Sequence, residues 1–432
     1  MITKVEIKGY RLLDNFVADP GSLTVVIGAN ATGKSTLIDC LKFIAESVQF
    51  PLSDVAGWHL GMLSLSSAFS EKREIEWNLI FNKPKMDFFR MIPLRDDDLK
   101  YNVKIETDIY GQPRPVYEVL CYKDPLPGKK DPFKFLESSR WRSWIFDHKL
   151  NKLVDFDTAT PDNKGPSPKD SSKKMEQKVE EALSEIHSPQ KDFLLLAKMN
   201  FLNEYPEASA IKIMLSSFAF YPGFEVGKLS PLRTKPAEIK PMTILYQAGE
   251  NLGTVLHEIF TKYDYRENAE EINEFIKSAY PYIESINPET VPGNPPGVLV
   301  RVREKNMRRA MELWDLSDGM LRFLCLAAAL LNPVPPPFMA FDEPEAGLHP
   351  KLLPIVADMI KTASEKTQVL ITTHSPDLLN RFEIDNIAVM TREDGQILWK
   401  RPGTRESLKK MLASVEGENL GDLHRSGELE AL

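Results

Sequence analysis

The segment Gly28-Ala29-Asn30-Ala31-Thr32-Gly33-Lys34-Ser35-Thr36 carries the pattern GxxxxGK[ST]. Its chemistry is phosphate binding. The glycines let backbone N–H groups turn inward around phosphate oxygens, Lys34 reaches the β- and γ-phosphates of a nucleoside triphosphate, and the Ser35 hydroxyl ligates Mg²⁺. A glycine loop with no ligand is the plainer reading, and the flanks argue against it. Leu23–Ile27 is a short apolar run rich in β-branched residues, which reads as a buried parallel strand. After the loop, Leu37, Ile38, Leu41, Ile44, Ala45 and Val48 recur at helical spacing, so a helix aims its positive end at the same anion.

A second set of residues lies far along the chain. Leu316-Ser317-Asp318-Gly319-Met320 opens a helix that Ser317 can cap, giving another anion-attracting N-terminus. Phe338–Phe341 reads as a buried strand that delivers Asp342 and Glu343 to its carboxyl end, where open parallel sheets bind ligands. Asp342 would hold Mg²⁺ directly or through water, and Glu343 would polarise an attacking water. The turn Glu345–His349 follows. Then Ile371-Thr372-Thr373-His374-Ser375 puts His374 at a strand end, within reach of a γ-phosphate. A capping role for Glu343 and a core role for His374 are the bland alternatives. Their places directly after apolar strands favour the chemical ones.

These residues need a particular scaffold. Val5 and Ile7 alternate with Lys4, Glu6 and Lys8, and Ile75, Trp77, Leu79 and Phe81 alternate in the same way. With parts of 101–107 and 116–122 they read as an antiparallel sheet. Residues 123–178 are rich in Lys, Asp, Pro and Ser and read as an exposed, partly mobile stretch. Helical patterns follow at Met175–Ile186, Phe193–Met199, Ala208–Phe218, Leu252–Tyr263 and Glu267–Ala279. From Val298 the compact α/β pattern resumes, closing with a hairpin signal at Glu393-Asp394-Gly395. The expected fold is therefore α/β: a split nucleotide-binding core (1–110 and 298–432), an antiparallel β subdomain, and an inserted, mainly helical lid at 111–297.

Composition narrows the class. A chain of 432 residues corresponds to about three domain equivalents. No apolar run approaches the ~20 residues of a membrane span, and the N-terminus lacks a signal-peptide pattern, so no membrane insertion is expected. Cys40, Cys121 and Cys325 stand far apart in apolar patterns and read as reduced core thiols of a cytoplasmic protein. A net charge of −8 argues against a generally basic nucleic-acid binder but leaves room for a local groove. Two features could form one: Arg301, Arg303, Lys305, Arg308 and Arg309, and the pair Trp141 and Trp144 with Arg140 and Arg142. A solvated strand and turn balanced by acids, and a partly exposed lid core or partner surface, are the respective alternatives.

Taken together the motifs resemble the ABC-type ATPases, specifically their SMC/RecF-like and OLD-like branch, over roughly residues 1–110 and 300–400. The resemblance implies ATP and Mg²⁺ as ligands, Leu316–Met320 as the signature motif, Glu345–His349 as the D-loop and His374 as the switch histidine. It also implies a head-to-tail homodimer, or a higher oligomer, with ATP sandwiched between copies, so that Ser317 and Gly319 of one chain meet the γ-phosphate held by Lys34 of the other. The chain departs from the family at Asp318, where a second glycine is usual, and at Met320, often glutamine. The Q-loop is unassigned, with Gln49 nearby, and the adenine contacts are unassigned too, with Tyr10 and Arg11 as candidates. Relatives of this kind imply a DNA-linked or anti-phage defence ATPase whose TOPRIM-type nuclease effector is a separate chain. A nucleotide-sensing scaffold with slow turnover and a transporter-energising subunit are the other readings.

Overall fold

The structure, a computed structural model, describes residues 1–67, 73–82, 97–140, 142–147, 152–156, 192–199, 205–293, 296–405 and 419–431. The helix expected at Met175–Ile186, and Trp141, lie outside the described residues. The chain divides into two compact units. One comprises Met1–Asp19, Asp39–Ser217 and Glu393–Ile397, and the other Pro20–Ile38, Phe218–Arg392 and Leu398–Leu432.

The second unit is built on a six-stranded sheet in the order β10 (Ala219–Tyr221), β15 (Phe338–Asp342), β16 (Gln368–Thr372), β3 (Leu23–Ile27), β17 (Ile387–Glu393) and β18 (Gln396–Lys400). The first five run parallel. Strands β3 and β16 are buried at every position, which is why their sequences are continuous apolar or Thr-containing runs rather than alternations. The helices Asp318–Leu330 and Leu353–Lys366 pack on one another and complete this core. The turn between β17 and β18 places Asp394 at φ 49° and Gly395 at φ 85°, the two left-handed residues a two-residue hairpin requires.

A smaller sheet, β11 (Ala237–Glu238), β13 (Gly297–Glu304) and β12 (Ile283–Val291), carries β14 (Met311–Glu312) on β13 and is packed by the helices Leu252–Thr261 and Arg266–Ala279. The basic run sits on and after β13. Arg301 pairs with Glu289 at 2.8 Å, Arg303 with Glu284 at 3.3 Å and Arg309 with Asp315 at 2.9 Å. The balanced, solvated strand is the reading these pairs support.

The first unit holds an eight-stranded sheet in the order β2 (Phe16–Ala18), β1 (Ile2–Lys8), β4 (Glu74–Phe81), β5 (Leu99–Thr107), β6 (Pro113–Tyr122), β7 (Lys134–Ser139), β8 (Ser143–Asp147) and β9 (Lys152–Asp155). Here the structure departs from expectation. No helical insertion begins at 111, and the exposed stretch expected from 123 is short: residues 123–131 are largely exposed as expected, but strands resume at Lys134. β6 pairs with β5 from Leu99↔Tyr122 to Thr107↔Pro113, and the sheet runs on through Asp155. The reason is local. Phe135, Leu136, Ile145 and Phe146 are buried, and Phe133 meets Phe146 edge-on at 4.7 Å, but the Lys-, Asp- and Ser-rich flanks dilute that signal in any wide window.

Three features fix this unit's interior. Trp77 stacks on Phe43 at 5.4 Å and donates its indole N–H to the Cys40 Sγ at 3.0 Å. Tyr10 is fully buried edge-on to both rings, so it offers no face to an adenine. His59 sits between Asp39 and Glu46, 2.8 Å from each. Burial opposes its charge, but hydrogen bonds and charge from those carboxylates outweigh that and hold the imidazolium above the usual histidine range. Glu118 is wholly buried, which lifts its carboxyl to about 6 even though it accepts from the Leu196 N–H, the Tyr101 hydroxyl and the Leu195 N–H. Gln49, in the turn just past the helix Lys34–Ser47, donates its side-chain amide to the Ala45 carbonyl at 3.0 Å.

Candidate functional site

Gly28–Thr36 leaves the end of β3 and enters the helix Lys34–Ser47. Gly28 has φ 150°, and a Cβ there would stand 2.2 Å from the Met390 carbonyl, so the strand exit admits only glycine. Gly33 at φ 88° and Ala31 at φ 63° complete the curl. Ala29, Asn30, Ala31 and Ser35 are exposed, Thr36 is half-buried, and Gly28, Thr32, Gly33 and Lys34 are buried. The Thr32 hydroxyl ties the loop across itself to the Ala29 carbonyl at 2.8 Å. The Lys34 ammonium, 6% exposed, donates to the carbonyls of Gly28 at 2.8 Å and Ala29 at 3.0 Å. Burial pulls it below the ordinary lysine value, while Asp342, Glu343 and Glu430 oppose that pull.

Strand register lines up the rest. Asp342 is the partner of Thr372, and Thr372 of Val26, so β15, β16 and β3 end together at one sheet edge. The Thr372 hydroxyl donates to the Asp342 carboxylate. The Glu343 N–H donates to the Thr372 carbonyl at 3.1 Å and to its hydroxyl at 3.2 Å. That grip holds Glu343 at φ 50°, a conformation that side-chain-bearing residues seldom adopt and that concentrates at functional sites. One residue on, the Thr373 hydroxyl and the His374 N–H both donate to Glu345 Oε1. Glu345 Oε2 is buried without a partner, and burial raises this carboxyl. His374 Nε2 stands 3.9 Å from Glu343 Oε1. Burial first and Lys34 second hold its pKa below the usual value, so the ring is neutral at pH 7.

The turn at 345–349 reaches the other motif. Gly347 has φ 76°, and a Cβ there would lie 3.1 Å from Arg322 Nε, while a Cβ on Gly319 would lie 3.2 Å from the Gly347 carbonyl. Ser317 caps the helix Asp318–Leu330 by accepting the Met320 N–H at 3.3 Å and remains exposed. A cavity of about 270 Å³ opens beside the acidic pair, between Tyr221, Phe224, Arg322 and Phe341.

The family model described as "AAA domain, putative AbiEii toxin, Type IV TA system" matches residues 23–380. The chain belongs to that family. All the residues just described from Gly28 to His374 fall inside the matched span of this AAA-domain protein. It is also similar to solved SMC heads. One is bound to the C-winged helix domain of ScpA (14% identity, covering 93% of this chain and 99% of that one, TM-score 0.49). A second, from Pyrococcus furiosus, has an extended coiled coil and is bound to the C-terminal domain of ScpA (16% identity, 96% and 99% covered, TM-score 0.47). A third is the SMC head domain from Thermotoga maritima (14% identity, 93% and 98% covered, TM-score 0.39).

Sequence reasoning named the ends of the strands but missed what holds them. Thr372 and Thr373 orient Asp342 and Glu345, and the consecutive hydroxyls before His374 were the available signal. Glu345 was noted only as part of a turn. No helix among the described residues is long and apolar enough to cross a membrane.

Proposed function

We propose that this chain is an ATP-hydrolysing switch. The triphosphate lies in the loop Gly28–Thr36, with Lys34 released from its two carbonyls to meet the β- and γ-phosphates. The exposed Ser35 hydroxyl and the Asp342 carboxylate are hard oxygen donors of the kind Mg²⁺ takes, and the ion supplies neutralisation of phosphate charge. Glu343 polarises the attacking water, and neutral His374 donates a hydrogen bond to the γ-phosphate edge. Ser317 and Gly319 of a second copy complete each site, so ATP joins two chains and hydrolysis parts them.

The observation that carries this reading is the common edge: a buried lysine, two consecutive acids with the second in a left-handed conformation, and a histidine 3.9 Å from it. The family's toxin–antitoxin description supports coupling to an anti-phage or DNA-linked effector, of which a TOPRIM-type nuclease in a separate chain is the form proposed here. The test is sedimentation of the purified chain with and without MgATP, alongside phosphate release. Turnover with ATP-dependent dimers supports the proposal. Dimers with negligible turnover would replace it by a nucleotide-sensing scaffold, and failure to bind ATP would end it.

A further inference from the structure

Arg233 belongs to none of the motifs, yet it is the most heavily engaged cation near the signature turn. It is 7% exposed. Its Nε donates to the Val226 carbonyl at 2.8 Å. Its Nη1 reaches the carbonyls of Leu313 at 3.3 Å, Trp314 at 3.2 Å and Leu316 at 2.7 Å. Its Nη2 meets Asp318 Oδ1 at 2.5 Å. One planar guanidinium therefore ties down the backbone directly before Ser317 and the side chain directly after it. A lysine, with a single point charge, could not span that set.

The charge arrangement is as telling as the hydrogen bonds. Asp318 occupies the first turn of a helix whose N-terminus attracts anions, and its side chain is 65% exposed. Unpaired, that carboxylate would repel an approaching triphosphate. Arg233 lies behind it, away from solvent, and cancels it. We propose that Arg233 is a positioning residue for the signature turn: it fixes Ser317 and Gly319 and neutralises Asp318, so that the turn accepts the γ-phosphate carried by a second copy of the chain. This inference rests on the ATP-joined dimer of the preceding subsection.

The experiment measures ATP affinity and ATP-driven dimerisation separately, with Glu343→Gln as the parent so that ATP persists. Arg233→Met should leave ATP affinity within about twofold while weakening dimerisation at least tenfold. Adding Asp318→Asn to it should recover a fivefold gain or more, because the unpaired charge is gone. Asp318→Asn alone, at an exposed position that folding tolerates, should tighten dimerisation threefold or more and steepen its salt dependence. The inference is overturned if Arg233→Met dimerises like the parent, if ATP affinity falls in step with dimerisation, or if the double variant is no better than the single one. Should Arg233→Met not fold, an unchanged Asp318→Asn dimer overturns it on its own. A parent that stays monomeric with ATP overturns the dimer reading and this inference together. A dimeric parent whose variants match it overturns this inference alone.

Discussion

The sheet edge at 28–36, 342–345 and 372–374 and the turn at 313–319 are built to opposite plans. At the edge, the cation faces inward and is buried, the backbone is strained at Glu343, and each acid is gripped by a threonine or a neighbouring amide. At the turn, Ser317 is exposed and the balancing charge of Arg233 is hidden behind it. The edge gathers the groups that the proposed function assigns to one triphosphate. The turn presents an exposed hydroxyl, and its buried cation, Arg233, is engaged by backbone carbonyls and Asp318. The contrast is what the proposed dimer requires: one half that would grasp a ligand and one that would be offered to a ligand held by a second copy.

Variants can break that contrast. Glu343→Gln should lower turnover by about 100- to 1,000-fold while ATP stays bound, because the loss falls on the water-activating step. Rapid phosphate release by this variant would move that role to another residue. Lys34→Ala should weaken ATP binding by about 100-fold or more, since a charge-assisted contact to phosphate is lost from a buried position. Unchanged affinity in a titration with a fluorescent ATP analogue would remove the loop from the site. Ser317→Arg should leave the single chain's ATP affinity intact and reduce ATP-driven dimerisation by tens of fold, by blocking close approach at the turn. Dimers equal to the parent's by sedimentation would erase the distinction between edge and turn.

A smaller effect sharpens the comparison from outside it. Glu118 lies in the other unit, and burial lifts its folded carboxyl to about 6 from the ordinary value of 4.5. The folded state then holds a proton that the unfolded chain has released, so stability is highest below the unfolded value and falls as pH rises through about 6. The loss is about 2 kcal/mol. His59, with its raised value, acts in the same direction at higher pH, its contribution being full below the unfolded histidine value and lost as pH rises through the folded one. Chemical denaturation between pH 4.5 and 8 should show this decline in wild type, and a flatter profile in Glu118→Leu and His59→Phe. A rise in stability across that range would contradict both assignments.

Legibility followed how local the cause is. The loop at 28–36 and the acids at 342–343 were readable because each is a contiguous segment at the end of an apolar, buried parallel strand. The helices Pro206–Ser216, Leu252–Thr261 and Arg266–Ala279 were readable from periodicity alone. Strands β7 to β9 were not, since their apolar residues are few and only cross-strand pairing reveals them. Arg233 was unreadable for a different reason. It lies more than eighty residues before the turn it grips, and nothing in Pro231–Thr234 signals a distant carbonyl cluster.

The left-handed backbone at Glu343 has one more consequence. A glycine there would relieve roughly 1–2 kcal/mol of steric cost, so selection for thermal endurance alone would favour it. On the proposed function, a carboxylate at this strained position serves turnover at a cost to folding. Screens that rank variants only by melting temperature would therefore favour Glu343→Gly and lose the carboxylate that the proposed mechanism needs.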